Sequence, residues 1–176
     1  FCSVNPKMGI DDAVDAITPP TRSKKVAVIG GGPAGMKAAV VAAERGHKVT
    51  LYEKGSALGG QARHADFSAY KWPLRDFKDY LAAQMKKLGV AVMLNTAATP
   101  EMIRAKGYDT VLAAVGSDLV MSKMKGSDGS NVYGIMEAYR NEKSMGKNVV
   151  VIGGGEYSAD VGIFLSDAGH NVTMLT

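Results

Sequence analysis

The chain has 176 residues, enough for one sizeable domain or parts of two. With 46% hydrophobic and 22% charged residues it has the balance of a soluble globular protein, and no apolar run approaches the roughly 20 residues of a membrane span. A net charge of +4 suits a polyanionic ligand or a solvated basic surface, but no basic run with interleaved aromatics argues for nucleic acid, and the single cysteine excludes an internal disulfide and points to a reducing, cytoplasmic setting.

Phe1 to Ser23 reads as a linker or arm, with a short helix over Asp11 to Ile17 stopped by Pro19-Pro20. Val26 to Ile29 is a short apolar, β-branched run, the pattern of a buried strand. Gly30-Gly31-Gly32-Pro33-Ala34-Gly35 follows directly, then an alanine-rich helix from Met36 to Arg45 closed by Gly46, then a second strand, Val49 to Tyr52, ending on Glu53. Such a unit binds a dinucleotide. Gly30 permits the tight turn, Gly32 lets a pyrophosphate approach the backbone, and Gly35 lets helix and strand pack closely. The helix N-terminus then faces the phosphates, and Glu53 is placed to accept hydrogen bonds from a ribose diol.

Gly55 to Lys71 reads as a loop containing Gly59-Gly60-Gln61. Pro73 can open a helix that continues from Leu74 to Leu88, where Leu74, Phe77, Leu81, Met85 and Leu88 form one apolar face before Gly89. Val90 to Leu94 is a third strand, Pro100 to Ala105 a short helix, and Asp109 to Val115 a fourth strand closed by Gly116. Ser117 to Asn131 is polar and glycine-bearing, the place for a domain crossing, and Ile135 to Glu142 suggests another short helix.

The first motif then returns. Val149 to Ile152 is a strand, Gly153-Gly154-Gly155-Glu156-Tyr157-Ser158 the turn, Ala159 to Ala168 the helix and Val172 to Leu175 the next strand. Gly30 maps to Gly153, His47 to His170, Val49 to Val172 and Thr50 to Thr173, an internal repeat of the nucleotide unit. Two such units mean two dinucleotides, most simply a flavin and a nicotinamide. Alternating strands and helices predict an α/β, Rossmann-like fold, with helices flanking a parallel sheet and the start of a second dinucleotide-binding unit. The expected organisation is an arm over 1–23, an incomplete first domain over 24–117 and a truncated second over 118–176. Ser158 replaces Gly35, and Thr176 replaces Glu53, which leaves a 2′-phosphorylated nicotinamide dinucleotide open.

These residues resemble a known group. GGGPAG followed by YEK, then LGGQ, then a strand running into AAVG, then VVVIGGG, is similar to the two-dinucleotide flavoprotein disulfide reductase superfamily. The N-terminal FCSVNPKMG resembles the segment that follows the barrel in the iron–sulfur flavoenzymes of the 2-enoate reductase, 2,4-dienoyl-CoA reductase and trimethylamine dehydrogenase group, which are NADH:flavin oxidoreductases of Old Yellow Enzyme-like type. The resemblance implies FAD, or ADP in its place, held by Gly30, Gly32, Pro33, Ala34, Gly35, Glu53, Lys54, Gly60, Gln61, Arg63, Ala114 and Gly116, and NAD(P)H held by Gly153, Gly155, Glu156, Tyr157 and Ser158. It implies a barrel with FMN, and Cys2 as the last ligand of a 4Fe–4S cluster whose other cysteines lie upstream. Electrons would pass from NAD(P)H through FAD and the cluster to FMN, and so to an activated C=C bond. Alternatives are an amine dehydrogenase of the trimethylamine dehydrogenase type with structural ADP, or a non-catalytic nucleotide-binding or electron-transfer module. Asp160 where relatives commonly have Glu, AAVG in place of AATG and the absence of Cys-x-x-Cys depart from the superfamily pattern.

Phe1 is not Met and Thr176 falls inside an apolar pattern, so the chain reads as a piece of a longer protein, inactive by itself and without a catalytic residue of its own. Val149, Val151, Phe164 and Leu175 are then expected to lack partners, which repacking or a homo-oligomer would supply. His47 and His170, at matching turns, read as structural. Arg63 is a candidate phosphate partner or a solvated cation, Tyr157 a cover for the nicotinamide or a packing residue, and the ten methionines core filler. There is no HExxH, and no Ser/His/Asp set or close carboxylate pair placed for hydrolysis.

Overall fold

A computed structural model describes residues 8–9, 18–118, 120–121 and 123–176. Cys2 and the short helix expected over Asp11 to Ile17 lie outside the described residues. The described residues divide into two compact units, one of those up to 65 together with 70–116, the other of 66–69 with those from 117 onward.

The first unit is built on a parallel sheet of four strands in the order β3-β2-β1-β4: β1 (Lys25–Ile29), β2 (Lys48–Tyr52), β3 (Ala91–Met93) and β4 (Thr110–Ala113). Val26 and Val28 stand in register with Val49 and Leu51, so four branched side chains share one face. Two helices cover that face, α1 (Pro33–Glu44) and α2 (Trp72–Lys87). Met36, Ala39 and Val40 of α1 and Leu81 and Met85 of α2 close the core, with Phe77 and Leu88 at its margin. Pro33 starts α1, where a missing N–H costs nothing, and Gly46 ends it at φ +88°. The short helix α3 (Pro100–Ala105), capped by the Thr99 hydroxyl, leads into β4.

Two features depart from the pattern read in the sequence. Each glycine-turn helix begins three residues earlier than expected, because the last residues of the motif already form its first turn. The loop after β2 contains 3₁₀ turns at Gly60–Asp66 and Ala69–Lys71.

The second unit pairs β5 (Asn148–Ile152) with β6 (Asn171–Leu175) in parallel. Its register, Asn148 opposite Asn171, repeats Lys25 opposite Lys48 in the first unit. The helices are α4 (Ile135–Asn141), continued by a 3₁₀ turn over Glu142–Ser144, and α5 (Glu156–Asp167). Ala138, Tyr139, Val151, Val161 and Leu165 are buried together, and Val149 and Phe164 pack against them. These last two and Val151 therefore find partners, contrary to the expectation from sequence, because Tyr139 and α5 fill the space over that side of the strands. Leu175 is 52% exposed, as are Val150 (57%) and Ile152 (60%). The matching histidines both serve the backbone: His47 Nδ1 accepts the Lys24 N–H at 3.2 Å, while the His170 ring contacts Gly146 O and Glu142 Oε1.

Tyr52, at the end of β2, is buried and its hydroxyl lies 2.7 Å from that of Tyr108. Burial, then the hydrogen bond and charge of Tyr108, push its pKa up to about 12. The neutral phenol is favoured by folding, so its contribution to stability is complete below about pH 10 and is lost as pH rises toward about 12. A spectrophotometric titration should show a tyrosine ionising near pH 12 that is absent from Tyr52→Phe.

A Cβ at residue 35 would overlap the carbonyl oxygen of Gly30 and approach Ala114 Cβ to 3.4 Å. Gly35→Ser, the residue found at the matching position 158, should lower the stability of the first unit by ~1–3 kcal/mol, read as a shift of the denaturant midpoint. An unchanged midpoint would mean that helix and turn separate at no cost.

Candidate functional site

The strand order puts β1 beside β4 at the point where the connections part, β1 leading to β2 on one side and β4 arriving on the other. In open parallel sheets a crevice forms at the carboxyl ends of such strands. Here the crevice receives the glycine turn. Gly30 takes φ +108°, and a Cβ there would meet the Ala114 carbonyl carbon at 2.8 Å. Gly30 N–H donates to Tyr52 O at 2.8 Å and Ala114 N–H to Ile29 O at 2.8 Å, tying the turn to the neighbouring strand ends.

The glycines of this turn are required for different reasons. The sequence alone gives Gly31 no role, yet a Cβ there would lie 2.8 Å from Leu58 Cδ2 and 2.9 Å from Glu53 Oε2. Gly31 N–H donates to Glu53 Oε2 at 2.6 Å, and its carbonyl accepts from Gly59 N–H at 2.8 Å. Gly32 is the exception: a Cβ there would come no nearer than 4.0 Å to anything, and then only to Gly60 Cα. Nothing in the protein demands glycine at 32, so its missing side chain keeps open a space at the helix end. Gly32 is the N-cap of α1 and supplies no side-chain hydrogen bond, and the first turn holds no acid. The amides of Ala34 and Gly35 at this end lack intrahelical partners by geometry, and the dipole there is positive. A space bounded by glycine, with free amides and a positive end, fits a pyrophosphate.

Around it stand the other expected residues. Glu53 is half-buried at the end of β2, with Oε1 accepting Gly55 N–H at 2.7 Å. Lys54 is exposed. Gly60, at φ +52°, packs on Gly32, where its Cβ would lie 3.0 Å from Gly32 Cα. Gln61 is exposed and its carbonyl faces His64 Nδ1 at 2.8 Å. Arg63 is half-buried and, with the mostly buried Lys78 of α2, crowds Gly59. Lys78 was missed in the sequence, where it is one more lysine on an amphipathic helix. Ala114 and Gly116 follow β4, Ala114 against the turn and Gly116 exposed at φ +73°.

The second turn keeps the plan with altered chemistry. Gly153 takes φ +129°, and its N–H donates to Leu175 O at 2.8 Å as Gly30 does to Tyr52. Gly155 is the N-cap of α5, and a Cβ there would meet nothing within 4 Å, as at Gly32. Glu156 replaces Pro33 and puts an acid in the first turn; Tyr157 beside it is 61% exposed. Ser158 carries its side chain against Gly153, where a Gly153 Cβ would meet its Oγ at 2.7 Å. Thr176 occupies the place of Glu53, with Cγ2 3.1 Å from where a Gly154 Cβ would be. Among the described residues no group of three or more His, Cys, Asp or Glu could hold a metal ion, and no helix is long and apolar enough to cross a membrane.

Comparison with known proteins agrees with this geometry. Residues 24–176 match the family described as pyridine nucleotide-disulphide oxidoreductase. An NADH oxidase of Thermoanaerobacter brockii is 39% identical over 99% of this chain and 27% of its own length. A cinnamate reductase of Clostridium sporogenes is 37% identical over 99% of the chain and 26% of its own length. The solved structure of a 2-naphthoyl-CoA reductase in complex with 2-naphthoyl-CoA superposes with a TM-score of 0.91 at 36% identity, over 98% of this chain and 26% of that one. The chain thus spans about a quarter of the length of these relatives. Its Rossmann-like FAD/NAD(P)-binding fold, its glycine turns and this match over 24–176 lead to one conclusion: the chain belongs to the pyridine nucleotide-disulphide oxidoreductase family.

Proposed function

We propose that this chain is the cofactor-holding part of an iron–sulfur flavin oxidoreductase, with FAD in the first unit and NAD(P)H in the second. The full protein passes electrons from NAD(P)H through FAD and a 4Fe–4S cluster to FMN and reduces an activated C=C bond of the 2-enoate or dienoyl-CoA type. The observation that carries the reading is Gly32: its neighbours Gly30, Gly31 and Gly35 are glycine because protein crowds them, whereas Gly32 faces open space at an uncapped helix N-terminus. The names of two relatives, cinnamate reductase and 2-naphthoyl-CoA reductase, support the choice of reaction.

Bound flavin and nicotinamide supply the redox chemistry, and this chain's residues position them. In the first unit the amides of Ala34 and Gly35 receive the pyrophosphate, Gly60 and Gln61 flank it, Arg63 offers a positive charge and Glu53 accepts from the ribose. Pro33 presets the helix start, Lys54 lies beside the ribose, and Ala114 and Gly116 border the crevice at β4. In the second unit Gly153 and Gly155 make the matching turn, Ser158 lies against Gly153, Tyr157 covers the nicotinamide side and Glu156 lies at the rim. Thr176 presents no carboxylate to repel a 2′-phosphate, so NADPH is admitted alongside NADH. Cys2 completes the cluster with cysteines from elsewhere in the protein.

Gly32→Val puts a side chain where the phosphates sit while meeting little protein. The full-length variant should fold with an unchanged circular dichroism spectrum and lose its bound flavin; normal flavin content would refute the site. Cys2→Ala should lose iron and sulfide by chemical analysis yet keep the flavin of the first unit. A full complement of iron in that variant would remove Cys2 from the ligand set.

A further inference from the structure

The structure assigns Glu53 a task separate from ribose recognition: its carboxylate holds the glycine turn in the shape that receives phosphate. The inference rests on the first unit being a dinucleotide site. Both carboxylate oxygens are engaged by the protein itself, Oε2 by Gly31 N–H at 2.6 Å and Oε1 by Gly55 N–H at 2.7 Å. The backbone of Glu53 is fixed as well, its N–H donating to Met93 O at 2.9 Å and its carbonyl accepting from Thr96 N–H at 2.9 Å. The side chain therefore projects from a rigid point between the ends of β2 and β3.

From there the constraint passes through the turn. Gly31, held by Glu53, offers its carbonyl to Gly59 N–H at 2.8 Å, and this lays Gly60 directly against Gly32. Three consecutive glycines have no side chains with which to anchor themselves and lose much backbone freedom on folding. The charge-assisted hydrogen bond that Gly31 N–H donates to Glu53 Oε2 supplies the missing anchor, while Gly55 N–H, donating to Oε1, holds the carboxylate in place. A carboxylate has about four lone-pair sites, so Glu53 keeps capacity for a ribose diol while bracing the turn. In the second unit a threonine methyl faces Gly154 at the matching place, and that turn has no such carboxylate. Glu53 is thus a positioning residue for phosphate as well as a contact for ribose.

The test uses full-length protein freed of flavin, titrated calorimetrically with ADP and with 2′,3′-dideoxy-ADP, which keeps adenine and diphosphate but has no ribose diol. Glu53→Ala should bind dideoxy-ADP at least about fivefold more weakly than the wild type, since it loses two bonds that the ligand never touches. Glu53→Gln keeps the volume but turns an NH₂ toward one of the two N–H donors, and it should weaken dideoxy-ADP by at least about threefold. Equal binding of dideoxy-ADP by wild type and Glu53→Ala would confine Glu53 to the ribose and overturn the assignment. Wild-type binding by Glu53→Gln would overturn it too, and that variant decides alone if Glu53→Ala does not fold. A wild type that binds neither nucleotide would remove the dinucleotide site and this inference with it.

Discussion

The approach of the first turn of α1 to the end of β1 is the contact on which the first unit depends. There is no room for a single methyl group between residue 35 and the Gly30 carbonyl. With the helix this close, Met36, Ala39 and Val40 join the branched side chains of β1 and β2 in one buried cluster. The same closeness brings the positive end of the helix to the mouth of the sheet. Core packing and the placement of the helix end therefore share one cause. The residues that make the packing tight leave Gly32 as the one position of the triplet whose side chain the protein itself would tolerate.

In the second unit the residues at that contact differ. Ser158 puts a hydroxymethyl group against Gly153, Glu156 places negative charge at the helix start, and Thr176 supplies a methyl group where the first unit has a carboxylate. The acid at the helix start offsets the positive end of the helix dipole. The second turn is thus the more acidic of the two, and the first is the one tied to a carboxylate.

Sheet order gives both turns their setting. In the first unit β4 arrives on the side of β1 opposite β2, so Ala114 forms one wall of the crevice and the Gly59–Gly60 loop lies over the turn. Residues far apart in the chain, at 30, 53, 60 and 114, meet there. Their common work is to exclude protein from a small space and to present backbone N–H groups to it.

Much of this could be read from the residues alone. The branched run before Gly30, the alanines after Gly35 and the acid at 53 specify strand, helix and strand, because each pattern is local and its period is set by backbone geometry. The duplication from Gly30 to Gly153 is equally plain, since it is a relation within the sequence. What the sequence could not separate was the reason for each glycine. Gly31 and Gly32 are identical neighbours, yet one is wedged between Leu58 and Glu53 and the other opens on empty space. Nor could it show Lys78 folded over Gly59, or Tyr139 packed on Phe164 of α5 beside Val151. Those facts depend on which distant side chain arrives at a given point. Local pattern decides the elements, but only the packing of those elements decides which gaps are filled and which are left for a ligand.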